Sequence, residues 1–232
     1  MRRITGSILP CLVAPFAAIS LAVAQSAPVV IAILPFEDRG SYGQDKEVFR
    51  ALQLGIPATL GAELVRNPRV RVADRARVGQ AVRAEARHPS SRMDAATAAK
   101  VGSQAGARYA VTGNFADFYG KFRIDARVID VQSGQILKVV SNNDPALQDR
   151  ADLSRIIQAL ADKIIGALSL APSTEAAAGQ ARSVPTEALT QYSLGLLQES
   201  QGERGKAAEH YQRALTAFPE YAEAREGMQR VR

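Results

Sequence analysis

The stretch from Phe122 to Val128 limits the fold most. Phe122, Ile124, Ala126 and Val128 alternate with Arg123, Asp125 and Arg127. A period of two sends the apolar set to one side of an extended chain and the charged set to the other. The segment is therefore a strand with one buried and one wet face. Tyr109 to Phe118 before it is also strand-like. Asp130 to Gly134 (DVQSG) after it is a turn, and Ile136 to Val140 returns as the next strand. An antiparallel meander results, and it needs a layer on its buried face.

The first half supplies that layer. Val29 to Phe36 (VVIAILPF) is a short apolar run closed by proline, as suits a central strand covered on both sides. Glu37 to Gln44 reads as a loop. Val48, Leu52, Ile56, Leu60 and Leu64 recur at steps of four and mark one helical face. Pro57 lies inside that stripe and predicts a kink or a restart. Asn67-Pro68 ends the helix, and Val70 and Val72 form a short strand. Asp74 caps a helix carrying Val78 and Val82, His88 to Arg92 is a polar break, and Asp94 caps a helix that stops near Gly106. A last helix carries Leu153, Ile157, Leu160, Ile164 and Leu168 on one face. The predicted fold class is α/β (or α+β), a mixed sheet with packed helices. Its body spans residues 28–170, and roughly 145 residues suffice for a real core.

The N-terminus predicts the compartment. Arg2 and Arg3 precede an uncharged apolar run from Ile8 to Ala24 that ends Ala22-Val23-Ala24. Positive start, apolar core and small-x-small end make residues 1–24 a secretory signal peptide, cleaved after Ala24. The run is only about 17 residues long and holds Pro10 and Pro15, which disfavours a membrane-spanning anchor. Cys11, the only cysteine, follows Pro10 and precedes most of the apolar core, so it reads as part of the leader rather than a lipid site. The mature chain then has no thiol for a disulfide, a metal or a nucleophile. Losing Arg2 and Arg3 lowers the formal charge by two, from +6 to +4. Arg66, Arg69, Arg71, Arg75 and Arg77 are the densest basic stretch. They lack interleaved aromatics and read as a solvated rim, so no nucleic-acid partner is expected and membrane contact is peripheral at most.

Leu170 to Pro185 changes composition to small residues, and 171–185 is read as a linker. From 186 to 232 the chain fits one helix–turn–helix repeat with a capping helix. Leu194-Gly195 sit on its first helix, Gly202 at the turn, Ala207, Tyr211 and Ala214 on the second, and Pro219 closes it. The pattern resembles the tetratricopeptide repeat (TPR) family. One repeat cannot bury its own face, so it is expected to lean on the body, a copy or a partner. Tyr192, Leu196, Tyr211 and Met228 are its candidate partner-binding residues, with inward core as their other reading.

The body also resembles a family. VIAILPFED, the apolar helix, VRVADRARV, AAKVGSQAGARYAVTGNF and FRIDARVIDVQSGQIL occur in the order of the amino-terminal-like domain of TolB-type envelope proteins, close to the core of the curli secretion component family (CsgG). The resemblance covers roughly residues 28 to 142. It implies a periplasmic or outer-membrane-associated assembly domain without catalytic residues. Pore formation is not implied, because a membrane-crossing hairpin needs more than about twenty residues and the turns at Gly120 and at 130–134 have no room for one.

Chemistry-bearing residues are sparse. His88 and His210 are isolated, and no zinc-protease, nucleophile-elbow or paired-cysteine pattern occurs. Gly102 to Gly106 lacks the lysine–serine/threonine end of a phosphate loop. Asp38, Asp117, Asp125 and Asp130 are the best acidic candidates, and pairing across strands with Arg123 and Arg127 accounts for Asp125 and Asp130. The expectation is a non-enzyme with no catalytic residue, cofactor or metal. It would be an exported adaptor that binds envelope proteins through its repeat and its α/β body. A ring-forming homo-oligomer is the alternative.

Overall fold

The computed structural model describes residues 27–43, 45–85, 93–142, 147–172 and 183–232. The leader with Cys11, the polar break with His88 and most of the linker lie outside the described residues. In chain order the elements are β1 (Val29–Asp38), α1 (Lys46–Leu64), β2 (Val70–Val72), α2 (Arg75–Glu85), α3 (Ala95–Gln104), β3 (Tyr109–Phe118), β4 (Lys121–Asp130), β5 (Ile136–Ser141) and β6 (Gln148–Asp149). A 3-10 turn (Arg150–Asp152) leads into α4 (Leu153–Ala167). Then come α5 (Thr186–Ser200), α6 (Arg204–Ala217) and α7 (Ala222–Val231). The fold is a mixed α/β sheet with seven α-helices among the described residues.

The sheet order is β2-β1-β3-β4-β5, with β6 also on β4. β1 runs parallel to β2 and β3, and β3-β4-β5 is the antiparallel meander. Odd and even residues of β1 serve opposite faces. Ile31 and Ile33 join the larger core with α1 and α4, while Ala32 and Leu34 join the smaller one with α2 and α3. At Pro35, which has no N–H to give the ladder, the register with β3 shifts between Ile33 and Phe36. The shift returns Phe36 to the larger core, over Gly113. A Cβ at Gly113 would lie 2.5 Å from the Phe36 ring and 2.3 Å from the Asp125 carbonyl oxygen.

Helix starts follow the sequence. Asp94 accepts the Thr97 N–H at 2.8 Å and Asp74 accepts the Arg77 N–H at 2.8 Å. Helix α1 differs from expectation in that it does not restart at Pro57. It is one continuous helix, with Pro57 buried in the packing.

Helices α5 to α7 continue the larger core. Leu189, Tyr192, Leu196, Tyr211 and Tyr221 share one cluster with Leu52, Ile56 and Leu60 of α1. The crossing of α1 and α5 is close because Gly55 faces Ser193, whose Cα lies 3.3 Å from where a Gly55 Cβ would be. Within the hairpin, the Tyr211 ring fills the space left by two glycines. A Cβ at Gly195 or Gly227 would meet that ring at 2.5 or 2.6 Å.

Candidate partner-docking surface

The acidic candidates do not converge. Asp38 accepts the Ser41 N–H at 3.0 Å. Asp125 pairs with Arg123 of its own strand at 3.0 Å, and Asp130 pairs with Arg108 at 2.7 Å. This corrects the expected cross-strand pairing with Arg123 and Arg127. Opposite Asp125 stand Asn114 and Ser141, neither of them basic, and Arg127 donates instead to the Met93 carbonyl at 3.2 Å. The Arg108 guanidinium and the Ser133 N–H hold the Asp130 carboxyl well below the usual carboxylate range. Among the described residues no three His, Cys, Asp or Glu side chains gather as metal ligands. His210 Nδ1 lies 2.9 Å from Gln191 Oε1.

Asp117 has a different role, because it anchors an exposed aromatic surface. The β3–β4 hairpin turns through Tyr119 and Gly120, both at positive φ (53° and 87°). Such a turn favours Asn-Gly, and a non-glycine residue in left-handed backbone costs about 1 kcal/mol. Tyr119 is 84% exposed, so neither backbone nor core asks for tyrosine there. Beside it stand Tyr42, 58% exposed, and Phe118, 37% exposed. The Tyr42 ring centroid is 6.1 Å from that of Tyr119 and 5.9 Å from that of Phe118, with planes 21° and 31° apart.

A network of hydrogen bonds and an ion pair holds the scaffold under these rings. The Asp117 carboxylate, 1% exposed, accepts the Gly120 N–H at 2.7 Å and pairs with Arg150 at 2.9 Å. The Arg150 N–H donates to the Gly120 carbonyl at 2.7 Å. The Tyr42 N–H donates to the Asp117 carbonyl at 2.8 Å, and the Asp117 N–H donates to Ser41 Oγ at 3.0 Å. Charges at the margin are already paired, Arg39 with Glu37 at 3.0 Å and Lys121 with Asp149 at 3.4 Å. Preorganised aromatic anchors inside a polar rim are the anatomy of a protein interface. Sequence reasoning missed Tyr42, Phe118 and Tyr119. The available signal was Tyr-Gly where a two-residue hairpin wants Asn-Gly.

The four residues expected to meet a partner lie inward. Tyr192, Leu196 and Tyr211 are buried, and Met228 is half-buried against the same core. Burial pushes the Tyr192 hydroxyl up to about 12. Direct contact with a partner would require the hairpin to open. Its closing contact is Glu199, which binds Arg230 through two hydrogen bonds of 2.9 and 3.1 Å. Glu199 also accepts the Tyr211 hydroxyl and pairs with Arg75 of α2 at 3.4 Å. Burial pushes the Glu199 carboxyl up, but the hydrogen bonds from Arg230 and Tyr211 outweigh it and the net shift is downward.

A depressed folded pKa contributes stability above the ordinary glutamate value. That contribution is lost as pH falls through the lower folded value. Glu199→Gln should therefore lower Tm at pH 7 by roughly 2–4 °C, about 1 kcal/mol for a half-exposed charged hydrogen bond. The deficit should shrink below about pH 4. Melting curves of both chains from pH 7 to 3 check this, and a constant offset across that range would refute it.

Comparison with known proteins bears on the sheet half. A family model described as peptidoglycan-synthase activator LpoB matches residues 56–137, about a third of the chain. The matched stretch runs from the middle of α1 to the start of β5. No curated protein matches. Among solved structures, the LpoB C-terminal domain from Salmonella enterica is 15% identical, with 52% of this chain and 84% of that chain covered and a TM-score of 0.33. An NMR structure of E. coli LpoB is 11% identical, with 60% and 81% covered and a TM-score of 0.38. TolB from Acinetobacter baumannii is 20% identical, with 70% and 30% covered and a TM-score of 0.33.

The matching family corrects the identification drawn from sequence motifs. It is LpoB, not the curli secretion or TolB-type family, and no tetratricopeptide match accompanies it. The motifs misled for a physical reason. A bulged strand, a glycine under a ring and an alternating hairpin serve the packing of a small mixed sheet and can recur outside one family. Small residues beside a large ring let any two helices approach closely, whatever family they belong to.

Proposed function

We propose that this chain is a non-catalytic activator of a peptidoglycan synthase, working in the periplasm, and that it meets the synthase through Tyr42, Phe118 and Tyr119. The carrying observation is the match of residues 56–137 to the LpoB family model, which includes Phe118, Tyr119 and Gly120. The leader read from the sequence supports export. The match does not support excluding a lipid anchor at Cys11. We take residues 186–232 as a helical addition to the 28–170 body, docked on α1 and outside the matched stretch.

An activator of this kind stabilises an active state of its partner by binding it better than the inactive state. It needs anchors that lose little freedom on binding. Tyrosines fixed over the Asp117–Arg150 scaffold meet that need. Adding the mature chain to a purified synthase that polymerises lipid-linked peptidoglycan precursor should raise the polymerisation rate several-fold. Tyr119→Asn should weaken synthase binding by about thirtyfold, the loss of a 2 kcal/mol anchor. The same change should stabilise the isolated chain by up to about 1 kcal/mol, because asparagine accepts left-handed backbone. A wild-type chain that leaves the rate unchanged defeats the activator reading. Undiminished binding by Tyr119→Asn defeats the assignment of the surface.

A further inference from the structure

Among the described residues, β5 is a free edge strand at the end of the order β2-β1-β3-β4-β5. Val139 is 57% exposed there, and Ile136, Leu137 and Lys138 are exposed beside it. The Asn142 N–H donates inward to the Ile124 carbonyl at 3.1 Å. Alternation along an antiparallel ladder then turns the Val139 N–H and carbonyl outward. Lys163 Nζ of α4 donates to the Ser141 carbonyl at 2.6 Å, as expected for an outward group two residues on.

An open groove lies between this edge and α4, with Lys138 and Val140 on its strand side and Lys163, Gly166 and Ala167 on its helix side. Gly166 leaves it wide, since a Cβ there would meet nothing within 4 Å. Among the described residues, two lysines line the groove and no carboxylate does. Lys138 and Val140 share the α4 side of the sheet, whereas Val139 and Ile136 face the other side. A second copy of β5 fits poorly, because antiparallel self-pairing would gather Lys138 and Lys163 of both copies in one groove. A central lysine and a bulge, here between Val128 and Ile129, are the devices by which edge strands avoid self-pairing.

We propose that the groove between β5 and α4 accepts an extended acidic segment of a protein partner, which adds to the sheet along β5. Its carboxylates meet Lys138 and Lys163 on one face, and its alternate apolar residues lie beside Val139 and Ile136 on the other. Main-chain hydrogen bonds to Val139 supply affinity, and the lysines select the charge.

The test uses the full mature chain and two labelled seven-residue peptides, one alternating glutamate with valine and one alternating lysine with valine. Fluorescence anisotropy should show the acidic peptide binding at least about tenfold more tightly, with the preference narrowing as salt rises. Val139→Pro removes an outward N–H, leaves the β4 ladder intact, and should cost at least about tenfold in affinity. Lys138→Glu with Lys163→Glu should reverse the preference, and this second variant decides the matter if Val139→Pro fails to fold by circular dichroism. Equal binding of both peptides, binding of neither, or an unreversed preference would overturn the proposal. So would a wild-type dimer in light scattering that Val139→Pro dissolves, since β5 would then serve a second copy.

Discussion

Gly55→Ala destabilises the chain by about 2–3 kcal/mol, and Ser193→Gly in the same molecule recovers most of that loss. In an unconstrained helix the first substitution would stabilise by about 1 kcal/mol, so its sign is diagnostic. The reversal comes from the crossing of α1 and α5. A Cβ built on Gly55 lies 1.8 Å from Ser193 Oγ and 2.6 Å from Ser193 Cβ. No rotamer of Ser193 removes the second contact, and the serine is fully buried with its hydroxyl bonded to the Leu189 carbonyl at 2.7 Å. The helices must separate, and the cluster that joins Leu52 and Ile56 to Leu189 and Tyr192 loosens with them. Urea unfolding of the four chains of the cycle measures the coupling, which should be at least about 2 kcal/mol. A stabilised Gly55→Ala would show that α5 does not press on α1. Independent unfolding of residues 186–232 would show as a second transition in the same curves.

Asp117→Ala should cost about 3 kcal/mol and dissolve the aromatic surface. The carboxylate is buried, and its removal strands the Gly120 N–H and one side of the Arg150 guanidinium. Losing one member of a buried pair costs about 3–5 kcal/mol, and the 31% exposed Arg150 places this one at the lower end. Arg150→Ala should cost as much, because it leaves the buried Asp117 carboxylate without its cation. The double substitution should cost less than the sum. Asp117→Asn keeps an acceptor for Gly120 and should fall between Asp117→Ala and wild type. Thermal melts order these chains, and the synthase-binding measurement should follow the same order because the rings of Tyr42 and Tyr119 depend on that turn. If Asp117→Ala melts within a degree of wild type, the scaffold reading fails.

Much of the fold was legible because it is local. The alternation from Phe122 to Val128, the stripe from Val48 to Leu64 and the caps at Asp74 and Asp94 each follow from spacing alone. Pro57 misled in part, since a proline inside an apolar stripe breaks a helix only where packing does not hold both halves. The expected docking surface was less legible. Tyr192, Leu196 and Tyr211 have the same helical spacing whether they face a partner or the molecule's own core. Conversely, Tyr42 and Tyr119 are 77 positions apart. The bridge from Tyr42 to Phe118 and the hydrogen bonds between 41–42 and Asp117 bring their rings together.

Hydrophobic period and turn chemistry act over a few residues, and so the order of the main elements, the mixed sheet and its meander could be read from the chain alone. It also carried the marks of an exported chain with few catalytic groups. Folding in three dimensions set which polar groups meet, since Glu199 gathers Arg75, Tyr211 and Arg230 from three other helices. It decided that α5 packs on α1, with α6 and α7 packed in turn on α5. It also decided which aromatic residues remain in water, because the exposure of a side chain depends on what the rest of the chain leaves uncovered.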